Sequence, residues 1–150
     1  MFKHILLPTD GSTLSGKVAK QAVKMAREVG AKITAIHVMP DYDKYVSERY
    51  LVPAAMAAPV KTKYREEAAA ISAEILDQVC SAATAAGVEC APVSVIDDAP
   101  HEAIIKQATQ SGCDVIIMAS HGRNGLQSLL LGSETQKVLV HSKTPVLVCR

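Results

Sequence analysis

The run Val115-Ile116-Ile117-Met118 is short, unbroken and rich in β-branched side chains. Such a run suits a strand covered on both faces, which is the condition of a parallel sheet with helices on either side. The composition changes abruptly beyond it: Ser120, His121, Gly122, Arg123, Asn124 and Gly125 are loop formers and hydrogen-bonding residues. Gly132-Ser133-Glu134-Thr135-Gln136 then predicts a helix entrance, with Ser133 as N-cap and Gln136 closing a capping box three residues on. Strand, glycine-bearing loop and helix start, in that order, make a place to hold phosphate. Glycine lets the backbone come close to an anion, and the free N–H groups of a first helical turn carry about half a positive charge. Ser133 and Thr135 add hydroxyl donors, and Arg123 a full charge. The same residues also suit a chain reversal and a helix cap, so the spacing by itself leaves both roles open.

The rest of the chain repeats the alternation. Ile5-Leu6-Leu7 opens a strand that stops at Pro8-Thr9-Asp10-Gly11-Ser12, leaving Asp10 at a strand's carboxyl end. Leu14, Val18, Ala22, Met25, Ala26 and Val29 recur at helical spacing up to Gly30. Ile33 to Met39 alternates into a second strand ended by Pro40. Residues 40–60 carry Tyr42, Tyr45 and Tyr50, and Pro53 and Pro59 predict a long surface loop, with room for one helical turn, by breaking any long helix. Lys61 to Ala86 is helical, with Ile71, Ile75, Leu76 and Val79 spaced for burial and Gly87 as its stop. Val93 to Ile96 is a third strand. After Asp97-Asp98-Ala99, Pro100 fits the first position of a helix that turns Ala103, Ile104 and Ala108 inward. Pro145 to Cys149 is a fifth strand. Strands and helices in strict alternation predict an α/β fold, a parallel sheet with helices on both faces. In such sheets ligands bind outside the carboxyl ends of the strands, where strand order reverses.

A chain of 150 residues predicts one domain spanning 1–150. One Phe, four Tyr and no Trp leave little for stacking on single-stranded nucleic acid, and a net charge of +1 gives no field for duplex binding. Cys80, Cys90, Cys113 and Cys149 have no C-x-x-C spacing and are expected to be reduced core residues. His4, His37 and His141 lack metal-ligand spacing. Asp97-Asp98, just before Pro100, suits capping better than acid/base chemistry. The N-terminus runs directly into a strand, and no apolar run approaches a membrane span, so a cytoplasmic protein with no membrane contact is expected.

Four segments together carry a resemblance: Leu7-Pro8-Thr9-Asp10-Gly11-Ser12, Ser120-His121-Gly122, Leu131-Gly132-Ser133, and Pro145-Val146-Leu147-Val148. They resemble the universal stress protein family, whose ATP-binding members carry Gly-x2-Gly-x9-Gly-Ser/Thr. Here Ala119 stands in place of the first glycine, and Gly122 and Gly132-Ser133 supply the rest. The resemblance implies a Rossmann-like, five-stranded parallel sheet of order 3-2-1-4-5 and a site for ATP or AMP, with or without Mg. It implies that Pro8, Thr9 and Asp10 line the adenine and ribose end and that Val38 contacts the base. Met118, Ala119, His121 and Gly122 would follow the phosphates beside Arg123, with Gly132, Ser133, Glu134 and Thr135 completing the cradle. Asp10 suits ribose hydroxyls or a metal, though a helix cap would also explain it. His121 suits a phosphate contact or help to an attacking water, though a local hydrogen bond would also explain it. A phosphate disfavours a neighbouring carboxylate, so the Glu134 side chain is expected to point away.

The resemblance thus implies a dimeric, nucleotide-dependent stress-response protein. A Walker lysine, a Mg²⁺ carboxylate pair and a positioned base are all missing, so at most slow ATP hydrolysis is expected. The alternative is a nucleotide-independent dimeric interaction protein of the same fold, for which Ala119 is the argument. An adenylating enzyme of the PP-loop kind shares the topology, but Pro8-Thr9-Asp10-Gly11-Ser12 lacks its Ser-Gly-Gly run. In the implied strand order Pro145–Cys149 lies at a sheet edge guarded only by Arg150. A homodimer through that strand would bury Val146 and Val148, unless the tyrosine-bearing stretch 40–60 covers the edge.

Overall fold

Ile5, Leu6 and Leu7 are all fully buried, which a strand achieves only when both faces of its sheet are covered. The computed structural model describes residues 1–43, 53–122 and 131–150 and has that arrangement. Five parallel strands, β1 (His4–Pro8), β2 (Lys32–Met39), β3 (Cys90–Ile96), β4 (Val115–Ala119) and β5 (Val146–Cys149), pair in the order β3-β2-β1-β4-β5. The described helices are α1 (Thr13–Val29), α2 (Ala54–Ala85), α3 (Pro100–Gln110) and α4 (Ser133–His141). Alternation along the strands divides the core. Ile5, Leu7, Val115 and Ile117 pack with Val18 and Ala22 of α1 and Leu76 and Val79 of α2. Leu6, Ile116 and Met118 pack on the other face with Ile104 of α3 and Val138 of α4. Among the described residues no helix is long and apolar enough to cross a membrane.

Helix ends follow local chemistry. Ser12 caps α1 by accepting the Ser15 N–H at 3.2 Å, and Gly30 ends it in the left-handed region at φ 69°. Asp10 therefore does not cap α1. Its Oδ1 accepts the Ser12 N–H at 2.9 Å, stiffening the turn before the cap. Asp97 likewise closes a turn, accepting from the Ala99 N–H at 2.8 Å, while Asp98 accepts from the Asp41 N–H at 3.0 Å.

Three expectations need correction. Gly132, not Ser133, is the N-cap of α4, and no side chain caps it; Gln136 Nε2 instead donates to the Leu131 carbonyl at 3.1 Å. Extended backbone at Gly132 lets the chain enter the helix one residue early. The stretch 40–60 is not a loop throughout, since α2 starts at Ala54 and runs through Pro59. The missing Pro59 N–H costs only the bond to the Ala55 carbonyl, and both residues are exposed, so water replaces it. Tyr45 and Tyr50 lie outside the described residues, while Tyr64 holds this end of α2 to β2 through its hydroxyl and the Pro40 carbonyl, at 3.0 Å. Finally, Cys80 of α2 and Cys90 of β3 form a disulfide across 5.2 Å between Cα atoms, leaving Cys113 and Cys149 free. The two cysteines meet because α2 reverses into β3 at Gly87, which takes φ 76°.

The two sheet edges differ. On β3 the Asp97 N–H bonds inward to Met39 at 2.9 Å, and facing alternates along a parallel strand, so the nitrogen of Pro92 faces the open edge. On β5 the Pro145 and Cys149 carbonyls accept from β4 and the residue after it, which turns the backbone groups of Val146 and Val148 outward.

At the amino ends of the strands His4 is buried and bonded to Thr34 Oγ1 at 2.8 Å. Burial first, and then the Lys32 ammonium, hold its imidazole below the ordinary value of 6.5. The fold favours neutral His4, so this contribution to stability is present above pH 6.5 and is lost as pH falls below it. Urea unfolding between pH 7.5 and 5 should show wild-type stability declining more steeply than that of His4→Gln. Parallel slopes in the two proteins would refute this.

Candidate functional site

The order β3-β2-β1-β4-β5 reverses direction at β1, which has β2 on one side and β4 on the other. The helices after β1 and β4 leave to opposite faces, and a crevice opens at the carboxyl ends of the strands. A cavity of about 510 Å³ occupies it, within the range of small-molecule sites.

Its walls come from four places in the chain. The end of β1 and its turn contribute Pro8, Thr9 and Asp10; the end of β2 contributes Val38. The end of β4 and the loop after it contribute Met118, Ala119, His121 and Gly122. The start of α4 contributes Gly132, Ser133, Glu134 and Thr135. The structure thus brings together every residue singled out from the sequence except Arg123, which lies outside the described residues. It adds Ser15, Ile36, His37, Pro40, Pro100 and Ile104. Pro40 and Pro100 sit where β2 ends and α3 begins, a signal legible once the strand order is known. His37 is buried on β2, with Nδ1 2.5 Å from Ser72 Oγ of α2. No sequence pattern pairs those two residues.

The glycines are needed for space. Neither Gly122 nor Gly132 has positive φ. A Cβ on Gly122 would lie 2.5 Å from Asp10 Oδ2, and one on Gly132 would lie 3.1 Å from the His121 Cα and 3.3 Å from the Ser120 carbonyl. Ala119 is not in the left-handed region either, so its methyl group carries no backbone strain.

Hydrogen bonds close the rim. The Gly132 N–H donates to the Ser120 carbonyl at 2.7 Å, and the Thr135 hydroxyl donates to the Ala119 carbonyl at 3.0 Å. Thr135 is therefore a tie between α4 and β4, and not the hydroxyl donor expected. The first intrahelical acceptor bond of α4 is Gln136 N–H to Gly132, which leaves the N–H groups of Ser133, Glu134 and Thr135 without helical partners on the cavity wall. Ser120 Oγ lies 3.1 Å from His121 Nδ1 and holds that ring. The Glu134 carboxylate does turn away from the cavity: Oε2 accepts the His101 N–H at 2.9 Å, and Oε1 accepts from Lys137 Nζ at 3.0 Å. Among the described residues no group of His, Cys, Asp and Glu converges as a metal site.

The profile of the universal stress protein family matches residues 1–150. Universal stress protein MJ0531 of Methanocaldococcus jannaschii is 31% identical over 150 residues, covering 100% of this chain and 83% of that protein. The solved structure of MJ0577, from the same organism, aligns with a TM-score of 0.77 at 32% identity, covering 99% of this chain and 95% of that one. A universal stress protein solved in complex with cAMP aligns at a TM-score of 0.69 and 23% identity over 99% and 97% of the two chains, a likeness of fold.

The contacts around the two glycines predict unequal costs. Gly132→Val presses on backbone at Ser120 and His121 and should lower unfolding free energy by about 1–3 kcal/mol. Among the described residues Gly122→Ala meets the Asp10 side chain and no backbone; displacing that carboxylate weakens its bond from the Ser12 N–H and should cost about 1 kcal/mol. Equal denaturant midpoints for the two variants would contradict this.

Proposed function

The chain belongs to the universal stress protein family, and on that premise we propose that it is a cytoplasmic, single-domain stress-response regulator that binds ATP or AMP. The supporting observation is the mixed lining of the cavity. One end is made by glycine backbone and the three N–H groups at the start of α4 that have no helical partner, which suits phosphate. Ile36, Val38 and Ile104 also line the cavity, with Met118, which was expected along the phosphates; these apolar side chains suit a flat base. Asp10 accepts from ribose hydroxyls. A protein of this fold has been solved with cAMP, in keeping with an adenine nucleotide as the ligand class.

Glycine backbone and first-turn N–H groups on one wall suit phosphate oxygens, and Asp10 is the residue that would hold a Mg²⁺ ion brought by the nucleotide, in place of its ribose contact, where the ion would offset phosphate charge. Binding, not turnover, is the function. Among the described residues no lysine lines the cavity, and the His121 ring is engaged by Ser120, so hydrolysis is at most slow. The competing reading, an interaction protein without nucleotide, drew on Ala119, whose unstrained backbone weakens that argument.

We also propose a homodimer through β5. Val146 and Val148 turn their backbone groups outward at the edge, without a partner strand among the described residues, and Leu147 is 42% exposed on the sheet face that carries α1 and α2. Pairing with a second copy satisfies the edge and covers Leu147. Val146 itself already packs on the core, which makes Leu147 the better probe.

Two measurements test these readings. ATP at a hundredfold excess over Kd should stabilise the fold by about 2.7 kcal/mol, raising Tm by about 5–10 °C; no shift with millimolar Mg-ATP or AMP would favour the interaction protein. Light scattering should give a dimer at micromolar concentration and monomers for Leu147→Asp and Val148→Pro. A monomeric wild type or dimeric variants would remove the β5 interface.

A further inference from the structure

Glu134 is the second residue of α4 and part of the cavity wall, where a carboxylate would oppose bound phosphate. It is held from outside. The first turn of α3 has no side-chain cap of its own, and Glu134 supplies one across the gap: Oε2 accepts from the His101 N–H at 2.9 Å and lies 3.1 Å from His101 Nδ1. Lys137, one turn on, donates to Oε1 at 3.0 Å. His141 lies near the His101 ring at 6.2 Å between centroids, and Glu102 is 3.9 Å from His101 Nε2. Burial alone would raise the Glu134 pKa, but the bonds from Lys137 and His101 outweigh it and the net shift is downward. The carboxylate therefore stays charged, and its charge is compensated on the far side of the cavity wall.

We propose that Glu134 is a specificity-determining residue: held on α3 by His101 and on its own helix by Lys137, its carboxylate is kept off the phosphate end, and the strength of that hold sets how much phosphate charge the cavity accepts. This rests on the nucleotide reading above. Without its two side-chain anchors the carboxylate keeps only the His101 N–H, its charge is uncompensated, and it can rotate toward the cavity. An uncompensated unit charge a few ångströms from a phosphate shifts binding by about tenfold in physiological salt. The penalty grows with ligand charge and vanishes for a neutral nucleoside.

The test compares adenosine, AMP and ATP by calorimetry on wild type, on His101→Ala/Lys137→Ala, and on that pair combined with Glu134→Gln. The double variant should bind ATP about tenfold more weakly and AMP less so, with adenosine within about twofold of wild type. The triple variant, which removes the charge while leaving the anchors absent, should recover most of the ATP affinity. Without ligand, an NMR titration should show the Glu134 carboxyl below its ordinary pKa in wild type and returned toward it in the double variant. Equal losses for adenosine and ATP, or no recovery in the triple variant, would make the tie merely structural and overturn the inference alone. A wild type that binds none of the three ligands would overturn the nucleotide reading and this inference with it.

Discussion

Two hydrogen bonds join the end of β4 to the start of α4, Gly132 N–H to the Ser120 carbonyl and the Thr135 hydroxyl to the Ala119 carbonyl. The rest of the site depends on them. They bring positions twelve and sixteen residues apart in the chain into contact at the rim of the cavity. The Ser120 N–H is itself bonded to Cys149 at the end of β5, so the clasp is braced by the sheet. This is why position 132 is glycine: the backbones of Ser120 and His121 approach it so closely that a side chain would push them apart, and a bare backbone lets an anion reach N–H groups.

Much of this was legible in the sequence because the relevant signals are local. Apolar runs such as Val115–Met118 declare buried strands, and the turn cluster Pro8–Ser12 and the Gly122 and Gly132-Ser133 spacing mark the ends that meet at the crevice. The outward turn of Glu134 was readable too, since charge near phosphate has a sign. What was not legible depends on partners distant in the chain. Nothing in the sequence tells that His101 will meet Glu134, that His37 will meet Ser72, or that Cys80 and Cys90 will face each other after the turn at Gly87. The start of α2 was misread for another reason. Pro59 breaks a helix by leaving one carbonyl unpaired, and at an exposed helix end that carbonyl is served by water.

The site is also a lesson in the division of labour among hydroxyls. Ser12, Ser15, Ser120 and Thr135 cluster around the cavity, and each is used by the protein itself: as a helix cap, as a partner of Thr9, as a brace for His121, as a tie to Ala119. Counting hydroxyls near a glycine loop therefore overstates what is left for a ligand. The backbone N–H groups of the first turn of α4 and the Ser133 hydroxyl are the described donors on the cavity wall that these ties leave over, and a ligand that uses the N–H groups needs little rearrangement of side chains.

The two borders of the sheet are chemically unlike. On β3 a proline interrupts the outward row of donors at Pro92, and on β5 that row is continuous through Val146 and Val148. Among the described residues the β5 edge is the freer one for strand addition, and the two-fold pairing proposed above would consume it. A particle built that way would present its proline-bearing rims to the next copy. Such an assembly terminates itself, and the step that makes a pair also removes the surface from which a fibre would start.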